Sequence, residues 1–261
     1  MKIVVITGGS SGIGLGAVKA LVNSGCKVYE LSRRDFEYQG VTHIRLDVTD
    51  EEAARKVIEE IYDKEGRIDV LINCAGFGIS GAVEFTELAD AKKQLEVNFF
   101  GVVNVTKAVL PYMRKLKSGR IVNVSSVAAI APIPFQTYYS VSKSAINAYT
   151  EALINEVKTF GISATAIMPG DIKTGFTAAR EKSVVGDDEY SGRISRSVQK
   201  MEHDEMNGMD ADVAGKYIVK IALKKKVKPY YSIGFVYKFL SVLIKILPSA
   251  IKSWLIGKLY G

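Results

Sequence analysis

Cysteine is scarce in this sequence, and this limits its structural class. The two cysteines, Cys26 and Cys74, fall at the start of one predicted strand and at the end of another. In a parallel sheet they would lie at opposite ends, whereas a disulfide needs Cα atoms within about 7 Å. We therefore expect two reduced thiols and a cytoplasmic protein, because disulfides are rare in the cytosol.

The sequence also lacks segments that target or anchor a chain. No stretch reaches the roughly 20 apolar residues of a membrane-spanning helix. The apolar run "MKIVVITGG" is too short for a signal peptide. Internal repeats and low-complexity tracts are missing, which favours an ordinary globular protein over a fibrous or disordered one.

Charge of one sign is only moderately in excess. The 35 basic and 28 acidic residues leave a formal net charge of +7. The basic residues are scattered, and the lysines at 224–226 are typical of a solvated surface. We therefore expect no nucleic-acid partner, since an anionic cofactor or a membrane surface explains the excess as well.

Short β-branched runs alternate with longer amphipathic segments. The runs that we predict as strands are 2–7, 27–32, 42–46, 68–73, 120–125, 163–168 and 228–232. The segments that we predict as helices are 12–24, 51–65, 88–117, 138–160 and 211–224. This alternation predicts an α/β fold, a doubly wound parallel sheet of about seven strands with helices on both faces. Ligands bind such sheets beyond the carboxyl ends of the strands.

A glycine-rich turn, "TGGSSGIG" at 7–14, follows the first strand and opens the first helix. Glycines there allow a sharp turn and a close approach of the backbone to a pyrophosphate. Together with Ala17 the turn fits the pattern G-x-G-x-x-G/A of dinucleotide sites. The residues of the turn that we assign to the cofactor are Gly8, Ser10, Ser11, Gly12, Ile13 and Gly14.

The end of the second strand favours NADP(H) over NAD(H). NAD sites usually place an acid there, but this strand ends in Ser32, followed by Arg33 and Arg34. One charge-assisted hydrogen bond contributes roughly 1.5–3 kcal/mol, which would favour the 2′-phosphate by about ten- to a hundredfold. The acids Glu30 and Asp35 are close in sequence and oppose this interpretation, and two solvated surface arginines are the alternative.

The third and fourth strands end in further candidate residues. Asp47 in "LDVTD" either accepts from the adenine amino group or caps the next helix, although Asp50 is the better cap. The small residues of "NCAG" at 73–76 would let the chain pass close to the cofactor, and an ordinary turn explains them nearly as well. From these two strand ends we assign to the cofactor Asp47, Val48, Asn73, Ala75 and Gly76.

Seven motifs occur in the order and at the spacings of one family. They are "TGGSSGIG", "DVTD", "NCAG", "VNFFG", "VNVSS", "YYSVSK" and "MPGDIKT". Over nearly its whole length the chain thus resembles the short-chain dehydrogenase/reductase family, with "NCAG" where the family usually has "NNAG". The resemblance implies one Rossmann-type oxidoreductase domain over 1–261, which assembles as a homodimer or homotetramer.

The resemblance also implies a catalytic tetrad. Tyr139 begins a Tyr-x-x-x-Lys pattern that ends at Lys143, whereas Tyr138 has a serine four residues later. The family's serine lies about thirteen residues before the tyrosine, which favours Ser126 over its neighbour Ser125. The complete set that we predict is Asn98, Ser126, Tyr139 and Lys143.

The chemistry of these residue types agrees with that assignment. Residues at i and i+4 share a helix face, so Lys143 would lower the pKa of Tyr139 from its reference value of about 10. Ser126 would hydrogen-bond the substrate oxygen as charge develops on it. In the family the lysine also holds the nicotinamide ribose, and Asn98 would hold a water that links the lysine to solvent. Each residue alone has an ordinary structural explanation: Tyr139 and Lys143 as a surface pair on a helix, Ser126 as the end of a strand, and Asn98 as a helix cap. The four together favour catalysis.

The sixth strand runs into "MPGDIKT" at 168–174. The Pro-Gly pair alone indicates only a turn. By the resemblance, Ile172 and Thr174 hold the nicotinamide carboxamide, and the residues assigned to the cofactor here are Pro169, Gly170, Ile172 and Thr174. We predict no metal site.

The substrate region predicts an apolar pocket. The segment "GFGISGAVEFTEL" at 76–88 resembles a subgroup with steroid and retinoid dehydrogenases. Residues 131–135 and Phe176 would line the pocket, and the irregular segment 171–210 would be a lid. We predict NADP(H)-dependent interconversion of a hydrophobic ketone, such as a hydroxysteroid, and a secondary alcohol. The alternatives are a 3-oxoacyl-thioester reductase and a non-catalytic NADPH-binding scaffold or sensor.

The C-terminal segment 235–261 is apolar, with lysines at 238, 245, 252 and 258. Pro248 is expected to divide it into two short helices. Such a segment, which also carries Trp254, would lie in a bilayer interface, cover the substrate pocket or pack against another subunit. We favour packing and keep peripheral membrane contact as the alternative.

Overall fold

The structure is a computed structural model, and it describes residues 1–260. Its strands are β1 Ile3–Thr7, β2 Lys27–Ser32, β3 Val41–Arg45, β4 Val70–Asn73, β5 Ile79–Ser80, β6 Gly119–Val124, β7 Ile162–Pro169, β8 Ile172–Lys173, β9 Glu181–Lys182, β10 Met209–Asp210 and β11 Tyr230–Ile233. Its α-helices are α1 Gly12–Asn23, α2 Glu51–Glu65, α3 Leu88–Leu95, α4 Gly101–Lys115, α5 Thr137–Val157, α6 Phe176–Ala179, α7 Arg193–Met206, α8 Ala211–Ala222, α9 Phe235–Ile246 and α10 Ser249–Tyr260. Short 3₁₀ turns occur at Val83–Phe85, Val127–Ala129 and Lys158–Phe160.

Seven strands form one parallel sheet in the order β11-β7-β6-β4-β1-β2-β3. β2 and β3 extend the sheet on one side of β1. β4, β6, β7 and β11 then extend it on the other side. The strand order therefore reverses between β1 and β4, and in such sheets this switch point opens the ligand crevice. The prediction of a doubly wound parallel sheet is confirmed.

Helices cover both faces of this sheet. On one face α1 and α8 pack so closely that a Cβ placed on Gly215 would lie 2.2 Å from the carbonyl carbon of Gly16. On the other face α2, α4 and α5 enclose a second apolar core with the buried side chains of the sheet. Because both faces are buried at the centre of the sheet, β1 and β4 are buried throughout, as their apolar sequences predict, whereas the edge strand β3 is only half-buried.

Two helical predictions need correction. The segment 88–117 is not one regular helix, because a π-helical turn at Glu96–Phe100 separates α3 from α4. The segment 171–210 is not irregular throughout, since it contains α7. Its buried residues Ile194, Val198 and Met201 recur at helical spacing, but the many charges and glycines around them hide this pattern in the sequence.

The remaining expectations about the chain concern its cysteines and its C-terminus. Cys26 and Cys74 are both free thiols, as predicted. Pro248 stands between α9 and α10, which confirms the predicted division into two helices. Across residues 1–260, no helix has both the length and the apolar character that crossing a membrane requires.

Candidate active site

The glycine-rich turn lies at the switch point of the sheet. Gly8 has a φ of +68°, and a Cβ on it would lie 2.7 Å from the Cα of Ala75 in the turn after β4. A Cβ on Gly14 would lie 2.1 Å from the carbonyl oxygen of Gly8. Any side chain at these positions would thus collide with backbone. The turn therefore packs tightly against the chain after β4 and leads directly into the N-terminus of α1, the end of a helix that favours an anion.

Two arginines border this turn. Arg34 Nη2 donates a hydrogen bond of 2.8 Å to Ser11 Oγ, and Arg33 Nη1 lies 3.8 Å from Asp47 Oδ2. Both side chains are exposed and free to meet a further anion. By contrast, Glu30 is fully buried, and its Oε2 lies 2.6 Å from His43 Nδ1. Of the two acids that opposed the NADP interpretation, Glu30 is therefore turned into the protein, whereas Asp35 is exposed.

The residues after β3 and at the end of β4 have different roles, some in the fold and some facing the crevice. Asp50 caps α2 by accepting from Ala53 N at 2.9 Å, which leaves Asp47 at the mouth of the crevice with Val48 behind it. Asn73 differs from its prediction in one respect, because its side chain points into the sheet and donates to Asn123 Oδ1 at 2.9 Å. The side chain of Asn73 is thus buried within the sheet, and its assignment to the cofactor stays a prediction.

Tyr139 and Ser126 meet at the carboxyl edge of the sheet. The Ser126 side chain, just after β6, accepts from Ala128 N at 3.1 Å and lies near enough to the Tyr139 hydroxyl, at the start of α5, to act against the rise of the Tyr139 pKa. Its neighbour Ser125 is buried and donates to the carbonyl oxygen of Lys143 at 3.0 Å. The structure therefore places Ser126 beside Tyr139 and gives Ser125 a role in holding α5.

Lys143 lies one turn along α5 from Tyr139. Its Nζ is 5.7 Å from the centre of the Tyr139 ring and donates to the Val124 carbonyl oxygen at 2.9 Å. Gly76 borders the same space, since a Cβ there would lie 3.1 Å from Asn98 Oδ1 and 3.7 Å from Lys143 Nζ. Glycine at 76 thus keeps the lysine accessible from the crevice.

Burial dominates the protonation of this pair. It raises the pKa of Tyr139 to about 12, although the Ser126 side chain acts in the opposite direction. It also lowers the pKa of Lys143 to about 8. The net shift of the Tyr139 pKa is therefore upward, opposite to the predicted lowering, because desolvation of the phenolate outweighs nearby positive charge. At neutral pH the phenol keeps its proton and the lysine is mostly charged.

Asn98 lies in the π-helical turn, and such turns are frequent at functional sites. Its carboxamide accepts from Phe77 N and donates to the Phe77 carbonyl oxygen, both at 3.0 Å. It also donates to Ser142 Oγ at 3.2 Å, and Ser142 in turn donates to the Tyr139 carbonyl oxygen at 2.7 Å. Asn98 therefore ties the turn after β4 to the first turn of α5. Its role as holder of a water stays a prediction.

The turn after β7 closes the other side of the crevice. Thr174 lies across from the glycine-rich turn, with its Cβ 3.5 Å from where a Cβ on Gly12 would be. Ile172 is buried and pairs with Met209, which anchors this turn. Gly170, after Pro169, is covered by the ring of Tyr237 from α9, a contact that no local pattern predicts.

The residues predicted to line a substrate pocket separate into two groups. Phe176 lies beside Tyr139, with the two ring centres 5.7 Å apart. Phe135 and Ile133 instead belong to an apolar cluster with Ile194 and Val198 of α7, which favours for these two the alternative of core packing. Phe135 and Ile133 belong to this small apolar cluster because α7 lies over them, and α7 was not predicted from the sequence.

Sequence reasoning also missed an ion pair on the substrate side. Arg180 follows α6, its side chain has 0% exposure, and its Nη2 donates to Glu205 Oε1 of α7. Both residues act electrostatically on the Tyr139 hydroxyl. In the sequence they are two charges among many in a charged segment, and only the position of α7 brings them together.

A separate cavity of about 530 Å³ lies between α7 and the α9–α10 helices. Its polar side chains are those of Asp171, Lys200, His203, Asp204, Asn207, Tyr237 and Tyr260. Tyr139 and Ser126 do not line it, but Ile172 does, so the cavity adjoins the turn after β7 on the side away from Tyr139 and Ser126.

Comparisons with known proteins agree with this geometry. The sequence model of a family described as short chain dehydrogenase matches residues 2–184. A 3-ketodihydrosphingosine reductase from Bacteroides thetaiotaomicron is 41% identical over 257 residues, which cover 97% of this chain and 93% of that protein. The short-chain type dehydrogenase/reductase VdlC of Helicobacter pylori is 36% identical, with 96% and 93% covered.

Solved structures show the same fold. A short-chain dehydrogenase from Streptomyces avermitilis superposes with a TM-score of 0.84 at 28% identity, over 97% of this chain and 95% of that one. The protein ElxO with NADP bound superposes with a TM-score of 0.75 at 28% identity, over 91% and 99% of the two chains.

Proposed function

We propose that this chain, which belongs to the short-chain dehydrogenase/reductase family, uses NADPH to reduce a hydrophobic ketone to a secondary alcohol. Family membership makes it an oxidoreductase that acts on CH–OH and C=O groups. The observation that carries the proposal is that Ser126, Tyr139 and Lys143 lie together at the edge of the crevice that the glycine-rich turn borders.

The chemistry at this edge follows from the protonation states. When bound, the nicotinamide supplies a hydride to the carbonyl carbon. Ser126 and Tyr139 hold the carbonyl oxygen, and their hydrogen bonds strengthen as charge develops on it. Tyr139 then donates its proton to that oxygen, and the Lys143 ammonium stabilises the phenolate that remains. Asn98 keeps the first turn of α5, and with it Tyr139, in position.

The ketone that we propose is a long-chain one such as 3-ketodihydrosphingosine. This follows from the name of the relative that is 41% identical over almost the whole chain. The aromatic ring of Phe176 beside Tyr139 suits an apolar substituent next to the carbonyl. A steroid ketone and a 3-oxoacyl thioester are the alternatives that the sequence leaves open. We further propose that the chain forms a single domain. Residues 171–210 act as a lid over its substrate site, since α6 and α7 lie on the substrate side.

A panel of ketones tests this proposal. Purified enzyme with NADPH is given 3-ketodihydrosphingosine, a steroid ketone and a 3-oxoacyl thioester at equal concentrations, and cofactor consumption is measured. We expect the largest kcat/KM for the long-chain ketone. A larger value for either of the other two would replace this substrate class while leaving the reductase chemistry in place.

NADPH is the proposed cofactor because Arg33 and Arg34 border the glycine-rich turn. NADP in the related ElxO structure supports the same choice. Arg34→Gln is expected to lower kcat/KM for NADPH by about tenfold to a hundredfold, the value of one charge-assisted hydrogen bond, and to change NADH little. Arg55→Gln, at an exposed arginine of α2, is the matched control. Equal losses for NADPH and NADH would show that Arg34 does not read the 2′-phosphate.

The C-terminal helices combine packing with an exposed apolar face. Ser241 of α9 contacts Ser232 of β11 at 2.6 Å between hydroxyl oxygens, which fixes one face of the helix to the sheet. On the other face Phe235 is 89% exposed and Ile246 is 75% exposed. The segment 235–260 contains lysines but no acidic residue. We propose that this face lies in the interface of an anionic bilayer, where lysines favour acidic lipids.

Flotation with vesicles that contain phosphatidylserine tests the membrane proposal. Phe239→Asp, on the exposed face of α9, is expected to abolish flotation because it places a charge among apolar side chains. The control Val185→Asp changes a residue that is 60% exposed elsewhere and should float like the parent. Equal flotation of all three would contradict the proposal.

Sedimentation velocity on the same three proteins, without vesicles, tests the predicted homodimer or homotetramer.

A further inference from the structure

The Arg180 side chain is the most unusual buried charge on the substrate side. Its exposure is 0%, and one of its nitrogens, Nη2, is occupied by Glu205 Oε1. Nε and Nη1 are also buried, and neither has a hydrogen-bond partner within residues 1–260. A buried N–H group without an acceptor is energetically unfavourable, so a guanidinium with two such nitrogens indicates a place for a missing acceptor.

The position of the guanidinium identifies where that acceptor would be. The centre of the Arg180 guanidinium lies 5.6 Å from the centre of the Phe176 ring, which is itself 5.7 Å from the ring of Tyr139. Arg180 Nε would lie 3.6 Å from a Cβ on Gly78, so no side chain from that neighbour covers it. The unpaired nitrogens therefore lie near the reacting end of the site and away from the glycine-rich turn.

The charge of the pair restricts the chemistry of the acceptor. Glu205 neutralises Arg180, and Glu205 Oε2 also accepts from Thr177 Oγ1 at 2.5 Å. A second full negative charge is therefore not needed to balance the site. A neutral oxygen with lone pairs, such as a hydroxyl, satisfies the two N–H groups without adding an uncompensated buried charge.

We propose that Arg180 is a specificity-determining residue that donates hydrogen bonds to a hydroxyl oxygen of the substrate, a few bonds from the reacting ketone. The inference rests on the proposed reduction of a long-chain ketone and adds that this ketone carries an oxygen substituent on its polar end. Phe176 then contacts the alkyl chain next to the ketone. Glu205 keeps the guanidinium oriented and supplies the negative charge beside the amino group that 3-ketodihydrosphingosine carries between its two oxygens.

Three ketones with the same chain test the proposal on the unmodified enzyme. They are 3-ketodihydrosphingosine, its 1-O-methyl ether, and the analogue that lacks only the 1-hydroxyl. Because Arg180 donates, the ether keeps the acceptor that the proposal needs. We expect the hydroxyl ketone and the ether to have kcat/KM values within about threefold of each other, and the deoxy analogue to be at least about tenfold lower.

The variant Arg180→Lys separates recognition from structure. Lysine keeps the ion pair with Glu205 but lacks the planar fork of N–H groups. The variant is expected to lose the discrimination against the deoxy analogue, mainly through a higher KM for the hydroxyl ketone, while kcat for the deoxy analogue stays within about threefold of the parent. Thermal unfolding of both proteins checks that the variant is folded, and the three-ketone comparison on the parent decides the matter if it is not.

The outcomes distinguish this inference from the proposed function. If the parent reduces the hydroxyl and deoxy ketones equally well, Arg180 does not recognise the hydroxyl, although the reductase function stands. If Arg180→Lys lowers kcat/KM for both ketones by the same factor, its role is structural. If the parent reduces none of the three ketones, the proposed substrate class fails and this inference fails with it.

Discussion

Replacing Tyr139 with Phe is expected to lower kcat for ketone reduction by about 10²–10⁴-fold, the usual contribution of a positioned general acid. The phenol is the one group of the tetrad that is protonated at neutral pH and lies beside Ser126. Phenylalanine removes only the hydroxyl and keeps the ring contact with Phe176. NADPH binding, measured by fluorescence, should therefore change little.

The neighbouring tyrosine provides a matched control. Tyr138→Phe removes the same hydroxyl one residue away, from a side chain that takes no part in the proposed chemistry. Its kcat should remain within about threefold of the parent. Similar losses in both variants, or activity that survives in Tyr139→Phe, would remove Tyr139 as the proton donor.

Replacing Lys143 with Met is expected to lower kcat by about 10²–10³-fold and at the same time to stabilise the ligand-free fold at pH 7. Activity falls because the ammonium that stabilises the Tyr139 phenolate is gone. Stability rises because burial lowers the pKa of Lys143 to about 8, which means that the folded protein holds this charge at a cost. Thermal unfolding of both proteins without cofactor measures the gain.

The stability gained by Lys143→Met should depend on pH in a direction that follows from the lowered pKa of Lys143. Between pH about 8 and 10.5 the unfolded chain keeps the Lys143 proton and the folded chain loses it, so the stability of the parent rises with pH. Lys143→Met has no such proton, and its advantage should be complete below pH 8 and shrink above it. The same titration predicts that ketone reduction by the parent declines above pH 8. An advantage of Lys143→Met that does not vary with pH would contradict the assignment of a charged, buried lysine.

The sheet could be predicted from the sequence because its strands depend on local patterns. Most of them are short β-branched or apolar runs between turns, and β2 occupies the predicted residues 27–32. Tyr139 and Lys143 share a helix face because their spacing requires it. The structure places Ser126 near the Tyr139 hydroxyl, whereas Ser125 donates to the carbonyl oxygen of Lys143, and the catalytic roles of these residues stay a prediction.

Features that depend on contacts between distant segments could not be predicted from sequence patterns. The direction of the Tyr139 pKa shift is one case, because it is set by burial and not by spacing along α5. Arg180 and Glu205 are another, since they meet only where α6 approaches α7. The inward orientation of Asn73 is a third, because it depends on Asn123 in the neighbouring strand.

The measurement that tests the central claim most directly is the stoichiometry of the reaction with 3-ketodihydrosphingosine. NADPH oxidation is followed optically while the secondary alcohol is quantified by mass spectrometry, for the parent and for Tyr139→Phe. The account predicts one alcohol formed for each NADPH oxidised by the parent, and almost none by the variant. NADPH that binds but is not oxidised with this or any other ketone would contradict it, as would alcohol formed equally well without Tyr139.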